Sequence, residues 1–212
     1  NLSVSPRMNF LDNLNNLKQL KLADLGDTMR TIHIKNTSLE IVVLQKIQNF
    51  ILEPNLRLEC LQIEELDFSA DLSGFPCHIP AKIETLALIN CHNIKVDNLV
   101  KPELFEFKNL ILESNSIQLN MLTHILEKCK LHGFRAKNNH LLKDPSTSEV
   151  DAPSRIEPDV LRFLGKFSLQ HKLKKLFLVN NTFPENSRLA EAMVPHHKYE
   201  ALVIKNNINL DL

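Results

Sequence analysis

The chain has 212 residues, 43% hydrophobic and 24% charged, enough for a sizeable core in one domain. Lysine plus arginine (25) equals aspartate plus glutamate (25), so no global field draws the chain to nucleic acid or a membrane surface. It contains no stretch of about 18 apolar residues and no signal-peptide pattern.

A nine-residue pattern, L-x-x-L-x-L-x-x-N/C, recurs along the chain. Loose copies come first: LKQLKLADL (17–25), MRTIHIKNT (29–37) and LECLQIEEL (58–66). The step from Leu20 to Ile32 is shorter than any ordinary repeat. Either one of these two copies is not a rung, or residues are missing around 23–28. Between them and the third copy, SLEIVVLQKIQNFILE (38–53) reads as a helix. Ile41, Leu44, Ile47, Gln48 and Ile51 fall near helical spacing, Ser38 caps it and Pro54 ends it. Residues 68–80, with Pro76 and Pro80, read as loop or short helix.

The clear copies follow: IETLALINC (83–91), FKNLILESN (107–115), LHGFRAKNN (131–139), LKKLFLVNN (173–181) and YEALVIKNN (199–207). Their middle residues Leu86, Leu110 and Phe134 are 24 apart (110 − 86 and 134 − 110). The central L-x-L reads as a strand, with the leucines on one side and the residues between them on the other. Asn115, Asn139, Asn181 and Asn207, with Cys91 in one copy, end the pattern. There a side chain can satisfy turn backbones of its own and neighbouring copies. Return segments 118–129 and 157–167 read as helices with apolar stripes. Segment 182–195, with Pro184 and Pro195, reads as loop and short helix. Between two copies lies KDPSTSEVDAPSRIEP (143–158), rich in Ser, Pro and acid, which reads as a flexible inserted loop. It is either a tolerated insertion or a partner-binding or phosphorylated segment.

No catalytic constellation is visible. The chain has no phosphate-cradling glycine loop, no G-x-S-x-G and no H-E-x-x-H; His78, His92, His124, His132 and His140 have no Cys or acid partner at metal-ligand spacing, and the adjacent His196 and His197 diverge in a helix or strand. We therefore expect no enzyme activity, no metal and no cofactor. Cysteines 60, 77, 91 and 129 show no C-x-x-C spacing, which favours a reduced cytoplasmic or nuclear setting. The sequons at Asn1, Asn36 and Asn180 are discounted as chance triplets in an Asn-rich chain.

These copies resemble the leucine-rich repeat family, from about residue 56 to the C-terminus well and before that more loosely. The resemblance implies an α/β leucine-rich repeat solenoid: curved, parallel strands on the concave face, helices and irregular segments on the convex face. The chain is expected to form one domain over 1–212, a fragment of a longer protein. Repeat length and helical returns are similar to intracellular ribonuclease-inhibitor and F-box types, and the irregular, Asn-rich copies to fungal F-box leucine-rich repeat proteins. That family implies a substrate receptor of a Skp–cullin–F-box ubiquitin ligase, reaching the Skp adaptor and cullin through a region outside this chain. No F-box is visible in these residues. The alternative is a non-enzymatic scaffold or regulatory binder, such as a GTPase regulator, kinetochore or RNA-export component. Nothing indicates a nucleic-acid or membrane partner.

In such a solenoid the residues between the leucines face a protein partner. The expected face comprises His33, Lys35, Gln62, Glu64, Ile89, Ile111, Glu113, Arg135, Lys137, Phe177, Val179, Val203 and Lys205. Apolar residues on a solvated face, rimmed by charge, suit an interface. The other reading is that a cap or further segment covers the C-terminal strands.

Overall fold

A computed structural model describes residues 16–24, 32–47, 50–53, 55–67, 82–93, 106–118, 131–142, 173–188 and 198–211. Fourteen strands lie in these residues: β1 (Gln19–Ala23), β2 (Ile32–Ile34), β3 (Ile41–Gln45), β4 (Phe50–Leu52), β5 (Arg57–Glu64), β6 (Lys82–Ile89) and β7 (Glu106–Glu113). Then follow β8 (Ser116–Gln118), β9 (Gly133–Lys137), β10 (His140–Leu142), β11 (Lys175–Val179), β12 (Thr182–Arg188), β13 (Ala201–Lys205) and β14 (Ile208–Asp211). The chain divides into two compact units, Asn1–Phe107 and Lys108–Leu212. Each is a parallel β solenoid of stacked turns.

In the first unit the rungs are β1, β3, β5 and β6, paired in that order and all parallel. Leu20 pairs with Val42, Val42 with Leu61 and Leu61 with Leu86. These side chains, with Leu22, Leu44, Ile63 and Leu88, all lie buried on one side of the sheet. A short second sheet pairs β2 with β4, in parallel.

In the second unit the rungs are β9, β11, β13 and β7, with β9 between β7 and β11. Leu110, Phe134, Leu176 and Leu202 share one register column. The first three are buried, whereas Leu202 is 40% exposed on β13, which pairs among the described residues with β11 alone. A second parallel sheet runs β8–β10–β12–β14. Its register slips between Thr182 and Ser187, a stretch holding Pro184, which has no N–H to give to a ladder.

Each rung ends on a residue in the left-handed region: Asp24, Lys46, Glu65, Asn90, Ser114, Asn138, Asn180 and Asn206, with φ between 42° and 57°. Asn tolerates that conformation better than most L-residues, which accounts for its repeated use at this turn. From Lys46 onward the next residue is buried or half-buried. In the second unit it is always Asn, and an amide column results. Asn139 Nδ2 donates to the Leu112 carbonyl at 2.9 Å, Asn181 Nδ2 to Ala136 at 3.0 Å and Asn207 Nδ2 to Leu178 at 3.0 Å. Each bond ties a turn to the rung before it. Asn115, Asn139 and Asn181 are buried polar groups, so their partners are a condition of stability.

In the first unit the same column is apolar or thiol. Ile47, Leu66 and Cys91 occupy it, all buried. Cys91 Sγ lies 3.5 Å from the Ile63 carbonyl, making with sulfur the bond that Asn makes in the second unit.

Three expectations change. Residues 38–53 are not a helix, since β3 and β4 occupy them. The segment is a repeat copy, L-x-x-V-x-L-x-x-I, with Leu39, Val42, Leu44 and Ile47 all buried. Residues 29–37 are not a rung, because Ile32–Ile34 pairs with β4 in the second sheet. That resolves the short step, and the rung after Leu20 is at Val42. Residues 182–188 form β12 and are not loop or helix. Among the described residues there is no helix. The expected helix at 118–129 begins on Gln118, which is the last residue of β8; its residues 119–129, the helix at 157–167, the loop at 143–158 and the segments 68–80 and 189–195 lie outside the described residues.

Candidate functional site

Alternation places every second rung residue on the outer side of its sheet. In the first unit two columns run across the rungs, Lys21–Val43–Gln62–Ala87 and Ala23–Gln45–Glu64–Ile89. The expected residues Gln62, Glu64 and Ile89 are half-buried members of these columns. Their polar groups pair locally: Gln62 donates to Glu64, and Lys21 Nζ lies 3.7 Å from Glu64 Oε2. Val43 joins this face although the sequence reading placed it in a helix. Its signal was the β-branched run Ile41–Val43, which suits a strand better than a helix.

His33 and Lys35 do not belong to this face. His33 pairs with Ile51 in the second sheet, and Lys35 is an exposed residue just past β2. The copy at 29–37 has the right leucine-like spacing, but 39–47 fills the buried rung column better.

The second unit brings the other eight expected residues together. One column is Ile111–Arg135–Phe177–Val203, and the next is Glu113–Lys137–Val179–Lys205. Ile111, Phe177 and Val179 are half-buried, and Val203 is 38% exposed. A third column, Asn109–Gly133–Lys175–Ala201, lies alongside. A Cβ on Gly133 would meet Asn109 Oδ1 at 2.5 Å, so the Asn109 side chain lies over the bare glycine.

Charge is arranged unevenly on this face. Lys137 Nζ and Glu113 Oε1 pair at 2.6 Å, both partly shielded. At the rung starts Lys174 Nζ meets Glu200 Oε1 at 2.9 Å, and that hydrogen bond holds the Glu200 carboxyl below its ordinary range. Arg135, Lys175 and Lys205 are exposed and form no ion pair with another described residue. Lys175 lies two residues before Phe177 on β11, on the same face by alternation, and in register with Gly133.

Among the described residues no three His, Cys, Asp or Glu converge to hold a metal ion, and no helix is long and apolar enough to cross a membrane. Cys60 and Cys91 are free thiols, and Asn36 is buried with its Oδ1 accepting from the Ser38 N–H at 2.9 Å. Cys77 and Cys129 lie outside the described residues. Neither a family model, a curated protein nor a solved structure matches this chain.

Proposed function

We propose that this chain is the protein-binding module of a leucine-rich repeat protein, and that the outer face of its second unit holds the partner. The observation that carries this reading is the half-exposed apolar set Ile111, Phe177, Val179 and Val203, interleaved with exposed cations on a rigid parallel sheet. Interfaces combine apolar anchors with a charged rim in this way. The leucine-rich repeat reading is supported by one shared column for the repeated leucines and by the asparagine column that ties successive turns.

The finer reading, by analogy of fold, is the substrate-recognition part of a Skp–cullin–F-box ubiquitin ligase, with the adaptor reached through an F-box outside these residues. A direct test separates this reading from that of a scaffold. Pull-down of the complete native protein from its own cells, followed by mass spectrometry, provides one. Recovery of a Skp adaptor and a cullin supports the ligase reading. A stoichiometric partner without them moves the protein to the scaffold class. Within either class, Phe177→Ala or Arg135→Glu is expected to weaken partner capture while leaving the melting temperature in place. Loss of folding in both variants would show the face to be core.

A further inference from the structure

We propose that the second unit's outer face selects an extended acidic segment in which carboxylates and apolar side chains alternate along one face. This rests on the protein-binding reading above and adds the chemistry of the partner. The face presents three cations with no ion-pair partner among the described residues, Arg135, Lys175 and Lys205, around three apolar side chains, Phe177, Val179 and Val203. Its carboxylate Glu113 is already neutralised by Lys137 at 2.6 Å. The free charge of the described face is therefore positive, although the whole chain is neutral. The first unit's outer face offers no such excess, since Lys21 and Glu64 sit together there.

The geometry sets both spacing and direction. Arg135, Phe177 and Val203 occupy one column on three successive strands. Lys175 and Val179 flank Phe177 two residues away on the same strand and the same face. Successive parallel strands lie about 4.8 Å apart. An extended segment places the side chains of one face about 6.6 Å apart, so a carboxylate over Arg135 sets the next side chain of that face between Phe177 and Val203. Beside this path the small Ala201 flanks Lys175 on one side, while the Asn109 side chain lies over Gly133 on the other. Single-stranded nucleic acid would also seek cations, but it needs aromatic platforms for its bases, and Phe177 is the only ring in these columns.

The test uses the 212-residue chain and a fluorescein-labelled peptide of about ten residues repeating Glu-Glu-Leu-Leu, which alternates the two side chains along each face, read by anisotropy at low salt. The glutamate–leucine peptide is expected to bind, and the matching lysine–leucine peptide is expected not to compete. Arg135→Glu, Lys175→Glu and Phe177→Ala should each weaken binding about tenfold, with unchanged melting curves. Arg135→Gln and Lys175→Gln serve if the charge reversals disturb folding. Equal binding of the two peptides, retention of binding by the variants, or displacement of the peptide by a single-stranded oligonucleotide would overturn the proposal. A photo-crosslinker at position 179, used in native extract, separates the two levels. A crosslinked protein with no peptide preference removes the acidic specificity and leaves the protein-binding reading. No crosslinked protein and no peptide binding removes both.

Discussion

Asn181 Oδ1 accepts twice from Asn139, from its backbone N–H at 3.1 Å and from its side-chain amide at 3.0 Å. Asn181 in turn donates to the Ala136 carbonyl, and its own N–H is met by Asn207 Oδ1 at 2.9 Å. Each amide thus closes the turn before it and is closed by the one after. A stack of rungs has no other internal polar group at this place, so the column decides whether the inward turns are satisfied.

Asn181→Ala leaves two buried donors of Asn139 without an acceptor and removes the donor to Ala136. Unmet buried groups cost about 1–3 kcal/mol each, so a loss of about 2–5 kcal/mol is expected. Urea unfolding measures it. Lys205→Ala, an exposed change on the neighbouring rung, is the control and should stay within about 0.5 kcal/mol. Equal effects from the two substitutions would mean that the column carries no stability.

Cys91 occupies the equivalent column position in the first unit, and burial pushes its thiol up from 9.0 to about 11. The raised value means the folded state keeps a proton that the unfolded chain releases. The resulting stability is complete below pH 9 and is lost as pH rises toward 11. A displacement of that size is worth about 3 kcal/mol at most. The native chain should therefore lose stability through this window more steeply than Cys91→Ala, compared by denaturant unfolding at pH 8 and pH 10.5. Parallel pH dependence of the two proteins would contradict a buried neutral thiol.

The clear copies were legible because two signals coincided, the leucine alternation and the terminal Asn or Cys. Where the column turns apolar, the second signal vanishes. LEIVVLQKI carries Ile47 in place of Asn, so its leucines fit helix and strand spacing alike and nothing in the sequence marks it as a rung. MRTIHIKNT matches the pattern at Met29, Ile32 and Ile34 but ends on Thr37, and Asn36 one place earlier accepts from Ser38 N–H in a local turn. The outer face of the second unit was legible by alternation alone. Its charge balance was not, since Glu113 and Lys137 are 24 residues apart and only register pairs them.

The reassigned rung gives a substitution pair that separates strand from helix. Val42 is fully buried and Val43 is half-buried on the outer face. Val42→Asp buries an unpaired carboxylate and is expected to abolish folding, at a cost of several kcal/mol. Val43→Asp keeps its charge near solvent and should leave a cooperative melt. Circular dichroism melting decides the matter: tolerance of both changes, or collapse with both, would remove the alternation on which this rung rests.

Lys46 sets two opposing effects against each other at a single turn. Its φ is 55°, a conformation costing an ordinary L-residue roughly 1–2 kcal/mol. In return its ammonium reaches Glu65 Oε2 at 3.7 Å and Asp24 Oδ2 at 4.0 Å. Both contacts are long, and the Lys46 side chain is exposed, so each is worth about 0–1 kcal/mol and less in salt. The second unit places Asn at this turn in Asn138, Asn180 and Asn206, all with similar φ. Lys46→Asn should therefore stabilise the chain by up to about 1 kcal/mol, more clearly in 0.5 M salt, where the lost pairs count for less. A lower denaturation midpoint at high salt would mean that the strain at Lys46 is smaller than its dihedral implies.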